Sequence, residues 1–168
     1  AALFAVRRGS DRIAALDFDA ARDRALLGIE RGSIIRTPAE LERTAYHEAG
    51  HALCAAIIPE NDPVHKVTII ATGMALGVTM TLPTQDRHSM DKDEAEARMV
   101  MAMGGRVAEA LVFDEYSSGA SNDLQQATAT ARRMVTEWGM SEAVGPMSLS
   151  DQGPVFLGED MMLSLIHI

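Results

Sequence analysis

A chain of 168 residues, 47% hydrophobic and 23% charged, can bury one core of ordinary globular composition. Aromatics stand at 4% while methionine reaches 11 residues, a mixture that favours helices packed through small, flexible side chains and argues against a β-sandwich. The net charge of −9 argues against a nucleic-acid or anionic-membrane surface, and one cysteine, Cys54, excludes an internal disulfide.

The chain opens without Met in the apolar run Ala1 to Val6, expected to be the tail of a helix whose beginning is missing, stopped by Arg7-Arg8-Gly9. A short helix capped by Asp17 is predicted next, with Phe18, Ala21, Ala25 and Leu26 at helical steps and Gly28 closing it. Residues 29–36 have no strong period and read as a linker. Thr37, Pro38 and Glu40 then form a capping box with proline at the first helical position, so a helix is predicted to about Ile58, before Pro59 and Asn61-Asp62-Pro63. Its apolar side, Leu41, Ala45, Ala49, Ala52, Leu53 and Ala56, is expected to face the core. Cys54, on the same helix, reads as a small buried hydrophobe.

Val64 to Ile70 and Met74 to Leu82 are β-branched runs around Ala71-Thr72-Gly73 and predict a hairpin ended by Pro83. The hairpin could cover the preceding helix, or accept an extended peptide by backbone pairing through its Gly77-Val78-Thr79 edge, or do both. After a polar stretch over 84–90, a helix is predicted from about Asp91 to Phe113 through Ala95, Met99, Met103, Val107, Ala110 and Leu111. Gly104-Gly105 in its middle predicts close packing against another helix. A last helix is predicted from Asp123 to Trp138, capped by Gly139, with irregular chain after Gly145-Pro146. The final residues 163–168 match a translated sequencing adapter and are expected not to be native.

Inside the Thr37 helix stands His47-Glu48-Ala49-Gly50-His51. Residues four apart share a helix face, so His47 and His51 can aim at one ion, while Glu48, about 100° around, can reach a water on that ion without binding the metal itself. Composition alone gives such a match at about 0.01 occurrences by chance. A catalytic zinc site needs a third protein ligand, and His65, His88, Glu109 and Asp123 are the candidates. His65 suits a cross-strand polar role, and His88 lies in the polar loop. Glu109 could complete the site from a long helix or support it from behind, and Asp123 follows the small residues 117–121 at a helix start, where it could ligate or simply cap. These residues leave the choice open.

Beyond the histidine motif, Asp62 to Ile69, Ala75 to Thr79, Gly104 to Glu109, Ser118 to Leu124 and Glu137 to Ser141 occur in the order found in FtsH proteases. From residue 1 to about 160 the chain resembles the peptidase part of that ATP-dependent, membrane-anchored zinc protease family. The resemblance implies His47, His51 and Asp123 as ligands of one Zn2+ per chain, Glu48 as catalytic base, and Gly77, Val78 and Thr79 as substrate-binding edge. It implies a mainly α (α+β) fold, a helical zinc-metalloprotease domain with a small hairpin packed beside the active-site helix. Residues 1–32 would be the C-terminal end of an AAA+ lid plus linker, and residues 33–162 a C-terminally truncated zinc peptidase domain. The implied function is degradation of unfolded or membrane proteins by a homo-hexamer at the cytoplasmic face of a bacterial inner membrane, or at an organellar membrane. ATP and Mg2+ would bind an ATPase module outside this chain, and membrane contact would come only through N-terminal spans outside it. Ala110 departs from the family, many members of which carry a second Glu there. The alternative is a catalytically silent module used in assembly or substrate binding, which usually lacks the glutamate or a histidine.

Overall fold

The structure, a computed structural model, describes residues 1–149. Five α-helices and one hairpin follow in order: α1 (Ala2–Arg7), α2 (Ala15–Leu27), α3 (Pro38–Ile57), β1 (Val64–Thr68), β2 (Val78–Thr81), α4 (Lys92–Phe113) and α5 (Ser121–Thr136), the last entered through a 3-10 turn, Ser118–Ala120. The mainly helical architecture with a small antiparallel pair agrees with the sequence expectation. The expected adapter tail and the end of the expected peptidase domain lie outside the described residues.

The predicted capping box of α3 forms as read. Thr37 Oγ1 accepts from the Glu40 backbone N–H, and the Glu40 carboxylate accepts from Thr37 N at 2.8 Å. α4 is capped in a related way, with Asp91 accepting from Glu94 N. α2 differs from expectation: its N-cap is Ala14, and Asp17 sits inside the first turn. There the Asp17 carboxylate accepts from Ala14 N at 2.8 Å and from the Arg8 guanidinium at 2.7 Å, which clasps α1 to α2.

α3 crosses α4 at very short range. A Cβ on Gly50 would lie 2.3 Å from the Gly104 carbonyl oxygen, and one on Gly104 would lie 2.6 Å from the Gly50 oxygen. Two facing glycines let the backbones touch, which is the close packing that Gly104-Gly105 predicts. The face of α3 that meets this partner is not the expected one. Glu48, His51 and Ala55 are buried, whereas Ala49, Leu53 and Ala56 are exposed. Likewise Val107 and Leu111 of α4, expected in the core, are 50% and 81% exposed, while Gly104, Gly105 and Glu109 are buried. Small residues and functional polar residues line the helix contact, and bulkier apolar ones are left outside.

β1 and β2 pair antiparallel, with Val64 opposite Thr81 and Thr68 opposite Val78. Both strands are shorter than the apolar runs suggest, because residues 69–77 fold into bends and isolated bridges instead of continuing the ladder. A bulge between Val64 and Lys66 leaves His65 as the extra residue of β1. His65 and Lys66 both meet Asp23 of α2, at 3.1 Å and 3.0 Å. The hairpin packs beside α3, so one side of α3 faces β1 and β2 and the other faces α4, on which α5 packs in turn.

Candidate metal centre

Two elements bring the centre together. α3 supplies His47 and His51 one turn apart, and the first turn of α5 supplies Asp123. His47 Nε2 lies 3.0 Å from His51 Nε2, and Asp123 Oδ2 lies 3.2 Å from the first and 3.5 Å from the second. Among the described residues this is the one group of three or more His, Cys, Asp or Glu side chains able to hold a metal ion. Zinc bonds of ~2.0–2.1 Å at tetrahedral angles separate ligand atoms by roughly 3.3 Å, so two imidazoles and a carboxylate at these spacings fit a zinc ion with a coordination position left over.

The surroundings fit the same ion. His47 Nδ1 donates to Glu109 Oε1 at 2.7 Å, and His51 Nδ1 donates to the Met101 carbonyl oxygen at 2.8 Å. With both Nδ1 atoms committed as donors, a bound zinc ion that displaces the Nε2 protons would find both Nε2 lone pairs at the shared point. Gly105 provides the space: a Cβ there would lie 2.6 Å from each Nε2. Glu109 is itself buried, and its other oxygen stands 3.5 Å from Arg43 of α3.

Of the four candidates for third ligand, Asp123 joins the two Nε2 atoms, and Glu109 touches His47 from the opposite side of the ring. His65 is occupied at Asp23, and His88 is exposed in the segment after β2. The carbonyl of Met101 left no signal in the sequence, because any residue type can offer it. The Gly104-Gly105 pair did leave one, read as helix packing, and Gly105 adds contact with the imidazoles.

The electrostatics are those of a tightly hydrogen-bonded acid–base cluster. Burial acts to raise the Asp123 carboxyl, but hydrogen bonds and proximity to both imidazoles bring it down to about 2. The hydrogen bond to Asp123 lifts the His47 imidazole above its ordinary value, against the opposing effect of burial. Burial pulls His51 down, and its bonds to Asp123 and Met101 outweigh this and raise it. Glu48 is raised chiefly by burial, with the Thr79 hydroxyl and the imidazoles pulling the other way.

His47, His51, Asp123 and Glu48 line one open cleft of about 1700 Å³, together with Gly77, Val78 and Thr79 of the hairpin. The predicted base, ligands and edge therefore share one wall-to-wall space.

Residues 34–165 match the model of peptidase family M41. Relatives include an ATP-dependent zinc metalloprotease FtsH of Acidimicrobium ferrooxidans, 56% identical over 98% of this chain and 25% of that protein. An FtsH 4 of Sorangium cellulosum and an FtsH of Myxococcus xanthus, each named an ATP-dependent zinc metalloprotease, are 52% identical over 95% of this chain and 25% of their own lengths. The chain thus spans about a quarter of the length of the curated relatives it matches. The chain belongs to peptidase family M41, whose FtsH-type zinc metalloproteases it resembles over nearly its whole length.

Proposed function

We propose that this chain is the zinc-dependent endopeptidase part of an ATP-dependent, membrane-anchored protease. Its ligands are His47, His51 and Asp123, and its base is Glu48. The observation that carries the reading is the meeting of two Nε2 atoms and one carboxylate oxygen beside Glu48 in a single cleft. Zinc bound there supplies Lewis acidity, polarising a peptide carbonyl and making water acidic near neutral pH. Glu109 and the Met101 carbonyl keep the two imidazoles in the ligating tautomer and orientation. Glu48, whose carboxyl is raised chiefly by burial, takes the proton of the attacking water and returns it to the leaving amine nitrogen. The backbone of Gly77, Val78 and Thr79 holds the substrate extended across the cleft.

In this reading residues 1–32 are the end of an AAA+ lid and its linker, residues 33–162 are peptidase domain, and the substrates are unfolded or membrane proteins. The relatives' printed names support ATP dependence. A homo-hexamer at the cytoplasmic face of a bacterial inner membrane, or at an organellar one, is the assembly and place that go with it. Among the described residues no helix is long and apolar enough to cross a membrane. Metal analysis with casein cleavage, run with and without a chelator, tests the reading. About one zinc per chain and cleavage abolished by the chelator are expected; chelator-resistant cleavage would overturn it.

A further inference from the structure

His47 is held by α4 and α5 and His51 by α4, but Glu48 is held from the hairpin side. Thr79 Oγ1 of β2 lies 2.7 Å from Glu48 Oε2 and 2.9 Å from the Glu48 carbonyl oxygen. The charged carboxylate is the stronger acceptor of the two. Two further features seat this strand against the glutamate. Gly77 has no room for a side chain, since a Cβ there would lie 2.6 Å from Glu48 Oε1 and 2.8 Å from Glu48 Cγ. On the outer side, the Arg36 guanidinium donates to the Leu76 carbonyl at 3.0 Å and to the Ile69 carbonyl, which pins the irregular segment on both sides of its bend. Arg36 precedes α3, so one end of the active-site helix and the entry to β2 are tied together.

We propose that Thr79 is a positioning residue: its hydroxyl fixes the Glu48 carboxylate in the orientation from which it receives the water proton. A glutamate has three rotatable side-chain bonds, and holding Oε2 restricts them while leaving Oε1 as the oxygen without a hydroxyl donor, able to take the proton. Thr79 then acts through its side chain on the base while its backbone stays on the substrate edge. One strand serves both purposes, which couples where the peptide lies to where the base points. This rests on the reading of Glu48 as the base.

The test compares Thr79→Val, which keeps the shape and loses the hydroxyl, with Thr79→Ser, which keeps the hydroxyl. In the zinc-loaded protein Thr79→Val should lower kcat roughly tenfold to a hundredfold, with KM within about twofold of wild type and zinc content unchanged. Thr79→Ser should recover most of kcat. A Thr79→Val protein with wild-type kcat, or one that changes KM alone, would overturn the proposal in favour of a purely substrate-facing or structural threonine. An independent readout is a double-mutant cycle on thermal unfolding with Glu48→Ala: the loss caused by Thr79→Val should shrink when Glu48 is gone, and strictly additive losses would contradict it. Glu48→Gln separates the two layers. Retained turnover in that variant removes the base and the positioning role with it, whereas lost turnover beside an intact Thr79→Val enzyme sinks the positioning role alone.

Discussion

At residue scale the site divides into what spacing makes visible and what only folding can. His47, Glu48 and His51 are legible because helical geometry fixes their relation within a single turn. Asp123 and Glu109 lie 76 and 62 positions from His47, and only the packing of α4 on α3 and of α5 on α4 decides which side of the imidazole each one meets. Their different places give different expected losses. Asp123→Ala should abolish stoichiometric zinc binding, whereas Glu109→Ala should keep zinc with affinity weakened roughly tenfold to a hundredfold; metal analysis after dialysis reads both, and the reverse pattern would exchange their roles. Gly105→Ala is the complementary change. Its added Cβ enters the space of both Nε2 atoms, so zinc content after dialysis should fall well below that of wild type, and wild-type zinc content would contradict the placement.

At the scale of elements, the capping signal of α3 marks its true start, whereas α2 is capped at Ala14 instead of the expected Asp17, α5 starts at Ser121 instead of Asp123, and the inward faces differ from expectation. Thr37, Pro38 and Glu40 start α3 where expected because capping is a matter of three adjacent residues. The inward face of α3 is not the one that its alanines and Leu53 mark, since Ala49, Leu53 and Ala56 are exposed. The contact with α4 is instead made through Gly50 and Gly104; His51 follows that contact inward, while Glu48 is buried toward the hairpin. Hydrophobicity is a poor guide where backbones touch and a site is buried. Gly50→Ala should therefore destabilise the protein by about 1–3 kcal/mol in chemical denaturation, since its Cβ would meet backbone and not a side chain that can swing away. An unchanged midpoint would mean that α3 and α4 are free to slide apart. The strands were overestimated for a related reason: Ile69 and Ile70 have strand propensity, but Arg36 captures the Ile69 carbonyl and the segment bends.

On the scale of the molecule, the fold class and order of elements were readable from periodicity and punctuation, while the docking of the first two helices was not. Asp23 makes that connection, holding His65 and Lys66 of β1, and the bulge that presents His65 has no sequence signature. Hydrogen bonds from His65 and Lys66 lower the Asp23 carboxyl below its ordinary value. A lowered folded value means that the contact contributes fully above the unfolded pKa of ~3.9 and is lost as pH falls through the folded one. Thermal stability should therefore drop on acidification from pH 5 toward pH 3, and Asp23→Asn should flatten that part of the curve; an identical acid limb in the variant would exclude the contact as a source of stability.

The chain as a whole stands or falls on the division of labour between a metal held by His47, His51 and Asp123 and a proton carried by Glu48. The most direct measurement is zinc content and unfolded-casein turnover on the same preparation of Glu48→Gln, made in the full-length protein. The account predicts about one zinc per chain, as in wild type, with turnover lowered at least ~100-fold. Turnover near the wild-type rate with the metal in place would contradict it.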